Sequence, residues 1–281
     1  MFSIIIPSFN NIEYLKICIN SIKKNSKFDH ELIIYVQNGS DGTLEYVKSK
    51  KIKHLYNKEN QGLCIAYNEC VKISNNRLLV TAHDDMYFCK DWDTSFKDEL
   101  DKLDTDKYYL SGSMIQKKNG HYKLDCGDAP DNFSPDKLDL IKKDSIKNLQ
   151  GSHWMPALIH KNTWETVGGF SEEFFPGLGS DPDFNMKLWL YGVRIFKSIG
   201  NCKVYHFSSV TSRKGGNYNY GSKIFLLKWK ITVKFFKKHY LKTNEDYLGP
   251  LIGPIKNFYY YLDLIKCKLT FFYYKFLSKF N

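Results

Sequence analysis

The chain has no C-x-x-C pair, although it carries seven cysteines, an odd number (Cys18, Cys64, Cys70, Cys89, Cys126, Cys202 and Cys267). That spacing argues against a disulfide framework and a cysteine zinc site, and points to reduced thiols in a cytoplasmic protein. No apolar run approaches the ~18–20 residues that a spanning helix needs. Met1-Phe-Ser-Ile-Ile-Ile-Pro7 lacks a basic start and leads straight into a strand, so no secretory leader is expected. No repeat or low-complexity segment interrupts the sequence.

What remains is an ordinary globular composition: 281 residues, 43% hydrophobic and 25% charged. That is enough for one large domain with a good core and an appendage. The net charge of +11 is unevenly placed. Residues 221–281 hold 12 lysines against Glu245, Asp246 and Asp263, a net +9, which leaves +2 for residues 1–220. Charge thus divides the chain into a main domain, 1–220, and a basic C-terminal region, 221–281.

Within the main domain, short apolar runs alternate with helix-spaced segments. Phe2 to Ile6 reads as a buried parallel strand that stops at Pro7-Ser8-Phe9-Asn10. A helix follows from Asn11. Leu32 to Val36 is a second strand, ending in the turn cluster Gln37 to Thr43, where Asp41 or Thr43 could cap the next helix. Ile52 to Tyr56 is a third strand, and Leu63 to about Ser74 a third helix. Arg77 to Ala82 is the fourth strand. The alternation predicts a parallel α/β sheet with crossover helices. Further on, Trp92 to Leu103 reads as a helix and Tyr108 to Met114 as a strand. Lys117 to Asn148 reads as a variable loop with short helices, Asp181 to Tyr191 as a helix ended by Gly192, and Val193–Ile199 and Lys203–Phe207 as two strands.

In such sheets ligands bind outside the carboxyl ends of the strands. Pro7 to Asn10, Gln37 to Ser40 and Asp84-Asp85 all lie at such ends and should converge on one cleft. Neighbouring strand residues point to opposite sides, so the two adjacent acids can serve two different groups. One can hold a hard divalent cation, which takes oxygen ligands, while the other holds a polar ligand atom. Taken alone, the pair reads first as ordinary turn acids.

The ordered set of motifs is more specific. Ser3 to Asn10, Asn38-Gly-Ser-Asp-Gly-Thr43, Asn60-Gln-Gly62 with Ala66 and Asn68, His83-Asp-Asp85, Gly168-Gly-Phe170, Asp181-Pro-Asp183 and His206 resemble glycosyltransferase family 2. The resemblance covers about residues 2–210. It implies a GT-A nucleotide-diphospho-sugar transferase fold, Rossmann-like with a mostly parallel sheet, and inverting sugar transfer from a nucleotide donor. By it, Pro7, Ser8, Phe9, Asn10 and Asn38 would line the nucleotide pocket, with Asp84 near the ribose. Asp85 matches the metal-binding acid of the family's DxD-like motif, and His206 a residue that touches metal or diphosphate; the ion would be Mn²⁺ or Mg²⁺. Asp181 matches the catalytic base, with Asp183 in reserve. The chain departs from the pattern at Gln37 and His83, where the family carries acids, and at Ser180.

Plainer readings stand beside these. Asp181 before a proline at a helix start also reads as an N-cap. His206 can be a packed histidine. His153 and Trp154 could form an acceptor platform, although Trp154 can equally fill a core.

The function expected is hexosyl transfer to a hydroxyl of a glycan or lipid-linked acceptor in polysaccharide assembly. Two alternatives are a non-catalytic nucleotide-sugar or glycan-binding relic and a sugar-phosphate nucleotidyltransferase. The latter normally carries a glycine-rich basic loop where this chain has Pro7-Ser8-Phe9-Asn10. Nucleic acid is not expected, because no recognition motif accompanies the basic charge. In the C-terminal region Phe258, Leu262, Ile265, Leu269, Phe272 and Phe276 form one stripe of a helix. That stripe suits an anionic membrane surface on the cytoplasmic side, or packing on the main domain or on a second subunit.

Overall fold

The computed structural model describes residues 1–151, 154–207 and 218–277. Its centre is one ten-stranded mixed sheet. The first half alternates as expected: β1 (Ser3–Phe9), α1 (Ile12–Asn25), β2 (Glu31–Gln37), α2 (Thr43–Ser49), β3 (Lys53–Asn57), α3 (Gly62–Ile73) and β4 (Leu78–Thr81). Strand β1 pairs in parallel with both β2 and β4, and β2 with β3. Ile4, Ile5 and Ile6 are fully buried, as a strand covered by helices on both faces requires.

The second half departs from simple alternation. β5 (Met86–Phe88) leads to α4 (Trp92–Leu100), β6 (Tyr108–Gln116) and β7 (Tyr122–Lys123). After short turns come β8 (Leu149–Gln150), β9 (Ala157–His160), α5 (Lys161–Thr166), α6 (Ser180–Tyr191) and β10 (Ile195–His206). The sheet order is β3-β2-β1-β4-β9-β6-β10-β5, with β9 antiparallel to both β4 and β6. The two strands expected over Val193–Ile199 and Lys203–Phe207 form one, β10. Its register against β6 shifts between Ile199 and Lys203, so the polar Gly200-Asn201 step is a bulge, not a break.

Beyond residue 217 the chain forms α7 (Tyr218–Trp229), α8 (Val233–Phe236), one wide turn over Lys237–Leu241 and the long α9 (Phe258–Leu277). The region set apart by charge is not set apart by packing, for Phe225, Phe236, Leu241 and Leu251 belong to the main core. Helix α7 meets the start of α6 through glycine: a Cβ on Gly221 would lie 2.0 Å from the Leu178 carbonyl oxygen. Helix α9 sits on this layer through Tyr260, Leu264 and Cys267, which pack with Phe235. Among the described residues, no helix is long and apolar enough to cross a membrane.

Candidate active site

Register brings the strand-end residues together. Ile5 of β1 pairs with Thr81 of β4, so Ser8 and Asp84, each three residues further along, stand at one level. The Ser8 hydroxyl donates to Asp84 Oδ2 at 2.7 Å. Burial, and then the neighbouring Asp85 charge, push Asp84 up to about 7, against the pull of the Ser8 hydrogen bond.

Asp85 faces a different partner. Strand β10 pairs antiparallel with β5, His206 opposite Met86, and the Phe207 N–H donates to the Asp85 carbonyl at 3.1 Å. This sets His206 Nε2 3.1 Å from Asp85 Oδ1, both side chains nearly buried. Ile115 of β6 lies beside Tyr205, which places Gln116 next to His206 with 2.5 Å between its amide nitrogen and Nδ1. His83 stacks obliquely on His206 at 5.9 Å, and burial lowers its pKa to about 4, so it is neutral near pH 7.

The loops after β1 and β2 turn back at asparagines. Asn10 (φ 46°) and Asn38 (φ 62°) both adopt the left-handed backbone that Asn tolerates better than most residues. Asn38 Oδ1 accepts from the Ser40 N–H at 3.1 Å, and the Asn10 amide reaches the Ser40 hydroxyl at 3.4 Å. Asp41 serves both helices: Oδ1 accepts from the Thr43 N–H at 3.1 Å at the start of α2, and Oδ2 from the Ile12 N–H at 2.9 Å at the start of α1. Helix α2 has Gly42 at its N-cap. Buried Gln37 is committed to the Gln61 N–H at 2.7 Å and braces the loop into α3.

On the other side of the cleft stands α6. Its N-cap is Gly179 (φ 88°), so Asp181 lies in the first turn and does not cap. Among the described residues the Asp181 carboxylate makes no hydrogen bond. Burial raises it to about 6, and the Lys237 ammonium, itself shifted down by burial, pulls it the other way. Asp183 is different: Ser171 Oγ (2.6 Å), Trp229 Nε1 (2.8 Å) and Lys228 Nζ (2.9 Å) all reach its fully buried carboxylate. It joins α6 to α7.

Gly168-Gly-Phe170 anchors α3 against this side. Asn68 donates to the Phe170 carbonyl at 2.8 Å and accepts its N–H at 2.9 Å. Gly169 must be glycine: at φ 59°, a Cβ there would lie 2.2 Å from Asn68 Oδ1. Between the two sides is Tyr67 of α3, its hydroxyl on the Ala82 carbonyl at 2.8 Å. Burial lifts its pKa well above the usual value, and the charges of Asp181, Asp84 and Asp85 add to the effect. Trp154 meets His121 edge-on, ring centroids 5.9 Å apart, and packs against the core; His153 lies outside the described residues.

Sequence reading missed Gln116, Tyr67 and Lys237. Gln116 ends a strand and Tyr67 sits inside a helix, with no motif to mark either. Lys237 is one lysine among many in the basic region.

The model of glycosyl transferase family 2 matches residues 3–161, more than half of the chain. The chain belongs to that family. No curated protein matches this glycosyltransferase in sequence. Among solved structures it is similar to S. aureus TarS 1–349 in complex with UDP-GlcNAc, at TM-score 0.56 and 14% identity, over 81% of this chain and 66% of that one. It is also similar to GalNAc-T7 with UDP, GalNAc and Mn²⁺, at TM-score 0.57 and 14% identity, over 82% of this chain and 50% of that one. The glycosyltransferase thus shares the GT-A fold and spans about two thirds of TarS 1–349 and half of GalNAc-T7.

Proposed function

We propose that the protein is an inverting glycosyltransferase that moves a hexosyl group from a nucleoside-diphosphate sugar to a hydroxyl of a glycan or lipid-linked acceptor. The observation that carries this reading is the convergence on Tyr67. Carboxylates from the β4 exit (Asp84, Asp85) and from the α6 entrance (Asp181) bear on one hydroxyl, although they lie almost a hundred residues apart in sequence.

Pro7, Ser8, Phe9, Asn10 and Asn38 line the nucleotide side, held by the two left-handed asparagine turns. Asp84, fixed by Ser8, receives the ribose. Asp181 is the general base on the acceptor side. Inverting transfer needs a base within reach of the attacking hydroxyl, and a carboxylate with a pKa near 6 is ionised at pH 7 yet basic enough to take a proton. A carboxylate tied up in capping bonds would be a weaker base. Asp183, saturated by three donors, is a structural group and the less suitable base.

Among the described residues no three His, Cys, Asp or Glu side chains gather into a metal site. The fit of a divalent ion rests on two ligands, Asp85 and His206. Carboxylate and imidazole suit Mn²⁺, and two protein ligands suffice where diphosphate oxygens complete the shell. Bound there, Mn²⁺ or Mg²⁺ would supply Lewis-acid neutralisation of the departing diphosphate. Ligation would use the His206 Nε2 lone pair, so the ring proton must sit on Nδ1. Turning the Gln116 amide end for end offers Nδ1–H an oxygen without moving the chain. The enzyme would act on the cytoplasmic side, at the inner surface of a membrane.

A screen of UDP-, GDP-, dTDP- and CMP-linked sugars with and without Mn²⁺ tests the reading by melting shift and donor hydrolysis. A true donor at 100 times its Kd adds about 2.7 kcal/mol to stability. Binding without hydrolysis or transfer would favour the non-catalytic relic, and no binding of any donor would overturn the proposal.

A further inference from the structure

Helix α9 has two apolar faces, and among the described residues the domain buries one of them. Its inner face carries Tyr260, 7% exposed, Leu264, and Cys267, 3% exposed, which pack with Phe235. Half a turn away at ~100° per residue, the stripe of Phe258, Leu262, Ile265, Leu269, Phe272 and Phe276 points away from the domain. Each of the six is between 38% and 72% exposed. Among the described residues the main domain, one of the occupants expected from sequence, therefore leaves this stripe largely uncovered. A contiguous exposed apolar strip this long marks an interaction surface.

Charge selects the occupant. Asp263, the one acid in α9, lies toward the domain and is paired with Lys238 at 2.8 Å and His239 at 3.0 Å. The outward side is left without an acid. Lys266, Lys268 and Lys275 are exposed and flank the stripe, as do Tyr259, Tyr261 and Tyr273. Apolar side chains along the middle, with tyrosines and lysines along the borders, suit a helix lying in a lipid interface. The rings sit at headgroup level, and the lysine stems run along apolar surface to reach the phosphates. The chain leading into α9 exposes Leu248, Ile252 and Ile255 as well. A protein partner with an acidic, apolar groove would need to match this strip over all of its turns, whereas a bilayer needs only its two polarities.

We infer that the outward face of α9 is a membrane-docking surface that lays this helix flat on anionic lipid while its inner face stays bound to the catalytic domain. The inference deepens the proposed reaction by naming what holds the enzyme near a lipid-linked acceptor, and takes nothing else from it.

Co-sedimentation of the full chain with phosphatidylcholine vesicles, with and without about 30% phosphatidylserine, reads the interaction directly. Binding is expected on the anionic vesicles and should weaken in high salt. The double variant Ile265→Asp/Leu269→Asp should bind at least about tenfold more weakly at unchanged melting temperature, because neither side chain supports the fold. Lys266→Glu/Lys268→Glu should lose most of the phosphatidylserine dependence. Undiminished binding by the Asp double variant, or no vesicle binding by the native chain, would overturn the inference. So would light scattering that shows a dimer dissolved by the same double variant, which would assign the stripe to a second copy. Donor hydrolysis is measured on the same samples without lipid, so failure of the reaction and failure of the docking surface remain separate results.

Discussion

The two sides of the cleft differ in how they hold their carboxylates. At the strand ends Asp84 is held by Ser8 and Asp85 by His206. At the entrance of α6, Asp181 receives no hydrogen bond from the described residues, and the Lys237 ammonium is the charge that pulls its pKa down. Burial raises both Asp84, to about 7, and Asp181, to about 6, so the two sides differ in how the carboxylate is held: the Ser8 hydroxyl fixes Asp84 in direction, whereas no donor among the described residues fixes Asp181. The first arrangement suits groups that position a ligand, the second a group that accepts a proton. The same contrast recurs over two residues of one helix, where among the described residues Asp183 has three donors and Asp181 none.

The sharpest test of the contrast is Asp181→Asn. Turnover should fall by ~10²–10⁴, the usual contribution of a general base. Stability should move the other way. Burial raises Asp181 from an ordinary 3.8 to about 6, so the folded chain holds this proton more tightly than the unfolded one. The stability linked to the proton is then lost as pH rises from about 4 through about 6. Removing the charge should therefore raise stability at pH 7.5 by roughly 1–2 kcal/mol after allowance for partial exposure, and by little at pH 4. In the native enzyme kcat/KM should climb to a plateau above about pH 6. Chemical denaturation at the two pH values and a pH–rate profile check both halves. A variant that keeps its turnover would remove Asp181 from the mechanism.

Asp85→Ala should cost about 10²–10³ in turnover, the scale of one electrostatic contact to developing charge. EDTA should reproduce most of that loss in the native enzyme and add nothing in the variant. Full activity of either would show that donor departure needs no ion at Asp85.

Asp183→Ala should invert the Asp181 pattern. It leaves the Trp229 N–H and the Lys228 ammonium without their acceptor at the α6–α7 contact, for a loss of roughly 2–4 kcal/mol, since Lys228 keeps partial access to water and to Glu173. Below its lowered melting temperature the variant should turn over at a near-native rate. Collapse of turnover in a variant still folded would move the base assignment to Asp183.

Much of the fold was legible because its causes are local. The unbroken apolar run from Phe2 to Ile6 demands cover on both faces, and Gly192 (φ 102°) ends α6 as a left-handed C-terminal residue must. Asp183 stays in reserve behind Asp181 in sequence because its hydrogen-bond saturation comes from Ser171, Trp229 and Lys228, and no sequence pattern foretells that α7 docks there. The α9 stripe was legible as a stripe, but which way it faces depends on Tyr260, Leu264 and Cys267 finding Phe235. The single β10 was misread as two strands because a bulge keeps pairing through a polar step that in sequence resembles a turn.

The smallest effect expected belongs to Gln116, which lies behind His206 and was silent in the sequence. In the amide orientation that gives Nδ1 a donor, His206 carries its proton on Nε2 and points it at Asp85, a closed pair with no lone pair to offer. In the turned orientation Nε2 becomes a ligand. Gln116 can serve both states, because an amide presents a donor on one side and an acceptor on the other. Gln116→Leu removes the oxygen that holds the proton on Nδ1, and Mn²⁺ affinity measured by calorimetry should fall about tenfold, the low end for the loss of an outer-shell partner. Gln116→Glu supplies only acceptors at neutral pH, so it should hold the ligating tautomer and keep or tighten Mn²⁺ binding. Turnover at saturating Mn²⁺ should be close to native in both. Equal loss in both variants would mean that Gln116 merely fills space beside His206, and that the strand ends hold their histidine by backbone register alone.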